Sequence, residues 1–326
     1  MRRRDVMSLF AGLAALRPVA ASAQVTAKPV RLASLTAGVA MGPNSLLGTL
    51  LLPALARAGY TIGQNLDYQS YGAEMQIERL PQLARDIAGK ADAAIVTGFP
   101  ATVAMRETRV PTVVVSGAGD PVATGIVASL AHPGGNVTGI SDNAATLSTK
   151  RLGLLKQAVP QLRKVAMLWN AKDLGMTLRY QASADAAKAL GVTVLPLGVG
   201  EPNDFGDAFA AMDRQSPDAI LMVSDALTIL NRKRVIDYAA AHRLPAIYEN
   251  DSFVHDGGLM SYGADLRESY LRAASLLLRI FQGTNPADLP FEEPTRYLFV
   301  INLKTAKSIG LDLPSNVLAL ADEVVE

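Results

Sequence analysis

Two passages decide the fold: ADAAIVTG (91–98) followed by VPTVVVSGAGD (110–120), and PDAILMVSD (217–225) followed by LPAIYEND (244–251). In each, a short apolar run ends in small polar residues, a helical interval follows, and a Pro-led apolar run ends in an acid. Short unbroken apolar runs suit strands covered on both faces, as in parallel sheets. The recurrence of one βαβ unit in both halves predicts two similar doubly wound lobes; chance repetition of common βαβ grammar is the competing explanation. On the first reading, Thr97-Gly98-Phe99-Pro100 and Ser224-Asp225-Ala226 hold equivalent places beyond the carboxyl ends of strands, where open α/β sheets bind ligands.

Outward from these passages the same alternation continues. Strands are expected over 30–36, 65–71, 93–98, 111–117, 137–141, 164–170, 192–199, 219–225, 245–249, 259–262 and 296–302. Between many of them lie stretches with 3.6-residue periodicity, such as 146–159, 176–190 and 267–281. The fold class is α/β.

The first residues, MRRRDVMSLFAGLAALRPVAASAQ, join a basic cluster to a modest apolar run and a small-x-small site. This is the pattern of an export signal over 1–23, cleaved after Ala23, with the arginines leaning towards the twin-arginine route. A frayed amphipathic N-terminus is the alternative, and the run is too short to span a bilayer. The net charge of +1 argues against nucleic acid as a partner, because duplex binding needs a concentrated basic face. The chain has no cysteine, which excludes disulfides, thiolate metal sites and Cys nucleophiles.

Signatures of catalysis are missing. No phosphate loop, dinucleotide fingerprint, nucleophile elbow or H-E-x-x-H helix occurs. The three histidines, His132, His242 and His255, are scattered. The densest polar stretch, IYENDSFVHDGGLMSYG (247–263), gathers Glu249, Asp251, His255 and Asp256. A carboxylate or metal site there competes with a plainer reading, in which 251–256 forms a turn or short helix and Asp256-Gly257-Gly258 reverses the chain. No metal and no cofactor is expected. The strand ends are unusually polar: Thr36, Thr97, Ser116 to Asp120, Asp142-Asn143, Trp169-Asn170, Ser224-Asp225, Glu249-Asn250 and Ser261-Tyr262. Lined up at one end of both sheets, they would suit a small ligand carrying an amine and a carboxylate. Acids would pair with the amine and N–H groups at a helix start, as in TGFPATVAM (97–105), with the carboxylate.

At these residues the chain resembles the ABC-transporter substrate-binding family with the type I periplasmic-binding-protein fold, whose members include tryptophan- and tyrosine-binding proteins. The matching pieces are GAGDPVATGIVASLAHPGGNVTGIS (117–141), KRLGLLKQAVPQLRKVAMLWN (150–170), LPAIYENDSFVHDGGLMSYGADL (244–266) and GTNPADLPFEEPTRYLFVINLKTAKSIGLDLP (283–314). The resemblance runs from about Pro29 to the C-terminus. It departs at Gly98-Phe99, where the family has Gly-Gly, and in the loop TAGVAMGPNS (36–45). It implies a monomeric periplasmic protein, not an enzyme, whose two lobes close on a small-molecule ligand handed to an inner-membrane ABC permease. A sensor for a membrane receptor, or an enzyme on the same architecture, is the alternative. The lobes are expected over 29–141 plus 259–293 and over 142–258 plus 294–326. Crossovers are expected near 139–143, 257–262 and 294–299, with 259–262 opening a strand of the first lobe. The expected ligand-facing residues are Thr36, Thr97, Gly98, Phe99, Pro100, Asp120, Asp142, Asn170, Asp225, Tyr248, Glu249, Asn250 and Tyr262. Glu249 and Asp225 are the acids for an amine, and an aromatic amino acid would stack on Trp169 or Tyr248.

Overall fold

The computed structural model describes residues 28–326, so the expected export segment lies outside the described residues. Strands β1 (Val30–Thr36), β2 (Leu66–Gly72), β3 (Ala93–Thr97), β4 (Thr112–Ser116) and β5 (Val137–Gly139) form a parallel sheet in the order β2-β1-β3-β4-β5. A second sheet contains β6 (Lys164–Asn170), β7 (Thr193–Val199), β8 (Ala219–Met222), β9 (Ala246–Tyr248) and β10 (Met260–Ala264). Within it these strands run β7-β6-β8-β9-β10, the same parallel order as the first sheet. β11 (Tyr297–Asn302) then adds antiparallel to β10, and β12 (Glu323–Val325) closes that edge parallel to β11.

The two passages that open the sequence reading are therefore β3 with β4 and β8 with β9, at equivalent positions in two sheets. Both pairs are apolar in their interiors because helices cover both faces. One apolar cluster on the first sheet joins Leu35, Val96 and Val114 to Ile87 and Met105; the other joins Leu32, Ile95 and Val113 to Leu51 and Leu277. The second sheet is likewise packed by Met167, Leu221 and Ile247 on one face and by Leu168, Met222 and Tyr248 on the other.

One expectation is corrected here. The stretch 259–262 does not open a strand of the first lobe: β10 lies in the second sheet, with Met260 paired to Ile247 and Tyr262 to Phe299. The second sheet needs a fifth strand to repeat the order of the first, and β10 supplies it. Only after Ala264 does the chain return to the first sheet. The helix Leu266–Phe281 starts there on Asp265, whose side chain accepts from Arg267 N–H at 3.0 Å. Its buried Tyr270, Ala273, Ala274 and Leu277 recur at helical spacing and pack on the face carrying Leu32 and Ile95.

Candidate functional site

Three features bring the two rows of strand ends together. Chain segments pass between the sheets after β5, after β10 and before β11, so both rows of carboxyl ends face one another. Gly98 and Gly117 take positive φ (88° and 79°), and a Cβ on Gly117 would come within 2.9 Å of the Gly98 Cα. Glycine at these two places lets the ends of β3 and β4 fold tightly at the rim. The lobes touch: a Cβ on Gly38 would lie 3.4 Å from the Ala226 Cβ, and one on Gly175 would lie 3.1 Å from the Phe99 Cβ. Met75 of the first lobe, at a φ of 67°, packs against the apolar cluster of the second.

Between the lobes lies a cavity of about 420 Å³. Of the residues expected at the cleft, Thr36, Thr97, Gly98, Pro100, Asp142, Asn170, Asp225, Glu249 and Asn250 line it. Four expected residues do not. Asp120 is exposed and caps its own turn, accepting from Val122 and Ala123 N–H at 3.0 Å each. Phe99 lines a neighbouring surface groove with Lys172 and Leu174. Tyr248 is fully buried in the second lobe, its ring 4.9 Å from that of Phe253. Tyr248 is the last residue of β9, and Glu249 and Asn250, just beyond the strand, line the cavity instead. Tyr262 is absent from the lining and takes part through its backbone carbonyl. Trp169 is also no stacking platform for a ligand: it is buried, and its ring stacks on Tyr180 at 3.7 Å.

The floor of the cavity is a buried ion network. Glu249 accepts from Arg151 Nη1 at 2.6 Å through Oε1 and from Arg179 Nη1 at 2.7 Å through Oε2. Arg151 Nε also donates to the Tyr262 carbonyl at 2.6 Å. Arg179 Nη2 donates to Asp142 Oδ2, which accepts in addition from Gly117 N–H at 3.0 Å. The network thus ties the end of β4, the first crossover and two helices of the second lobe. Glu249, expected as a free acid for a ligand amine, is instead consumed by two arginines and is 5% exposed. Burial pulls the Arg151 guanidinium below its ordinary pKa, opposed by Glu249; a guanidinium remains protonated in proteins all the same.

Neither arginine was singled out from the sequence, although a signal exists. Arg151 lies on the helix Ala144–Ala158 in the stripe Leu147, Arg151, Leu154, Leu155, Ala158. Arg179 lies on the helix Leu174–Ala189 in the stripe Met176, Arg179, Ser183, Ala186. A cation on the apolar face of a helix must find a buried anion.

The second lobe adds a further polar group. Asp173 caps the helix Leu174–Ala189, accepting from Met176 N–H at 3.2 Å. Asp225 caps the helix Ala226–Leu230 in a reciprocal capping box with Thr228. Asn170 Nδ2 donates to Asp225 Oδ2 at 2.5 Å. Burial, and then the charge of Asp225, push the Asp173 carboxyl up to about 7, against hydrogen bonds from Met176 and Gly175 N–H. Leu46, Met75, Ile77, Leu147, Met176, Ile229, Leu230 and Tyr270 supply the apolar walls. The His255 region is a surface feature: the helix Asp251–His255 is followed by a turn, and the exposed His255 lies 3.6 Å from Glu323.

Two lobes that share one five-strand parallel order, joined by crossovers around a cavity between them, define a type I periplasmic-binding-protein fold. The chain belongs to the ABC transporter substrate-binding protein family, whose model matches residues 49–325. It is similar to a tyrosine-binding protein of Clostridioides difficile (strain R20291), 24% identical over 262 residues, covering 80% of this chain and 75% of that one. Among solved structures it resembles an ABC domain from Streptococcus pneumonia in complex with L-Trp, with a TM-score of 0.80 and 22% identity. That match covers 90% of this chain and all of the other. A conserved domain protein of Vibrio cholerae gives a TM-score of 0.84 at 23% identity, over 91% of this chain and 100% of its own.

Proposed function

We propose that the protein is the periplasmic binding component of an ABC importer, a monomer that captures an amino acid between its lobes and delivers it to a permease. The observation that carries this reading is the cavity itself: apolar walls around a small set of convergent polar groups, at the facing strand ends of two equivalent sheets. Its volume suits one amino acid. The tyrosine- and L-Trp-binding relatives support a ligand with an aromatic or other apolar side chain. Thr36, Thr97, Gly98, Pro100, Asp142, Asn170, Asp225 and Asn250 are the proposed contacts, with Glu249 organising the floor. A binding rather than a catalytic role fits the pairing of Arg151, Arg179, Glu249 and Asp142 with one another, which removes them from acid–base work.

A thermal-shift panel of the individual L-amino acids tests the reading. A ligand that binds only the folded state adds about 2.7 kcal/mol of stability at a hundred times its Kd. One or a few apolar L-amino acids should raise Tm in a saturable way. No response to any amino acid, with a response to a hexose, would overturn it.

A further inference from the structure

One wall of the cavity stands on strained backbone. Just after β2, Glu74 and Met75 both take the left-handed conformation, with φ of 53° and 67°. L side chains avoid this region, and methionine has no short polar side chain to compensate. The turn is held by a first-lobe loop that itself lines the cavity. The N–H groups of Ala73, Glu74 and Met75 donate to the carbonyls of Thr36, Gly38 and Ala37 at 3.0, 3.0 and 2.8 Å. Gly72 permits the approach, since a Cβ there would come within 2.6 Å of the Gly38 carbonyl oxygen. The half-buried Met75 side chain thereby lines the cavity and crosses the seam to the second-lobe cluster that contains Leu227, Val235 and Phe253. In exchange, Ala226 of the second lobe packs against the first-lobe cluster of Leu35, Val96 and Val114. Backbone strain of this kind gathers at ligand clamps and switch segments.

We propose that Met75 is a specificity-setting wall of the cavity: fixed by the strained turn, it closes the seam over the ligand and sets the size of the apolar side chain that fits. This rests on the reading of the cavity as an amino-acid site. Met176 and Tyr270, also in the lining, are buried in the clusters of their own lobes, which commits their volume to the fold. Met75 instead stands on a backbone clasp and reaches the second lobe only while the lobes are together, so its volume answers to the ligand. Its unbranched thioether chain fills irregular gaps and adapts to its neighbours. One methylene more or less in an apolar pocket is worth about 10- to 200-fold in discrimination, and truncation of Met75 to alanine removes Cγ, Sδ and Cε.

Calorimetry with L-leucine, L-phenylalanine, L-tyrosine and L-tryptophan on the parent, Met75→Ala, Met75→Phe and Met75→Leu tests this. Met75→Ala should shift the ratio of affinities towards the bulkier side chains by at least about tenfold, and Met75→Phe should shift it towards leucine by a similar factor. Met75→Leu, which conserves volume, should restore the parent ratio to within about threefold. A Met75 that only supports the fold would lower all four affinities together or leave them unchanged. Either result, or a shift in the same direction for the alanine and phenylalanine variants, overturns the proposal and leaves the amino-acid reading standing. If one of these two variants does not fold, the ratio in the other decides by the same criterion. Binding of none of the four amino acids by the parent overturns both.

Discussion

Asp173→Asn isolates a buried carboxyl of the cavity that no cation holds. In the folded, ligand-free protein the Asp173 carboxyl titrates at about 7, against an ordinary value of 3.8. The folded state therefore keeps a proton that the unfolded chain releases, so this group's stabilising contribution is present below about pH 4. It is lost as pH rises through about 7. The interval of roughly three pH units corresponds to about 4 kcal/mol at 1.36 kcal/mol per unit, and coupling to Asp225 reduces it, so about 2–4 kcal/mol is expected. Asn retains an oxygen for Met176 N–H and is an equally good cap, while removing the titration. Urea unfolding of both proteins without ligand at pH 4.5, 6 and 8 measures the difference. The variant should be nearly equal to the parent at pH 4.5 and more stable by about 2–4 kcal/mol at pH 8. A constant difference across the three values, or a variant less stable at pH 8, would refute the account of Asp173 as a buried carboxyl held without a cation.

Glu249→Gln should destabilise the protein by about 3–5 kcal/mol in urea unfolding, because it leaves Arg151 and Arg179 buried with one carboxylate fewer. The same substitution at a solvated rim would leave the midpoint unchanged. Trp169, stacked on Tyr180 away from the cavity lining, should emit as a buried indole and change little on ligand addition; a large saturable shift would place the ligand against it. Gly38→Leu should drive a side chain into Ala226 across the lobe contact and weaken ligand binding at least about tenfold. Unchanged affinity in this variant would argue against a ligand held between touching lobes.

Most of the scaffold is legible in the sequence because burial on both faces writes itself as unbroken apolar runs. The runs at 30–36 and 164–170 coincide with β1 and β6, end to end. β12 escapes that signal: Glu323–Val325 is a short, largely exposed edge strand whose pairing with β11 comes from the fold rather than from its own pattern. The misplaced β10 has a similar cause, since nothing local in MSYGA tells which sheet will accept it. Within the site, polar strand ends mark the cavity well where a single residue ends the strand, as at Thr36, Thr97 and Asn170. They fail at Tyr248, the last residue of β9, whose ring packs into the core on Phe253 while Glu249, just beyond the strand, lines the cavity. The role of Glu249 changed for a reason written far away in sequence, in the two arginines on buried helical stripes that neutralise it. In the loop TAGVAMGPNS only Thr36 is marked as a ligand-facing residue by its polar strand end, yet Ala37, Gly38 and Val39 also line the cavity.

The most direct test of ligand capture between the lobes is a crystal structure of the protein with the L-amino acid that gives the largest thermal shift. It should show that molecule enclosed between the two sheets, its ammonium within hydrogen-bond distance of Asp225 and its side chain against Ile77, Met176 and Ile229. Ligand density outside the cavity, or a bound molecule contacting one lobe only, would contradict the account.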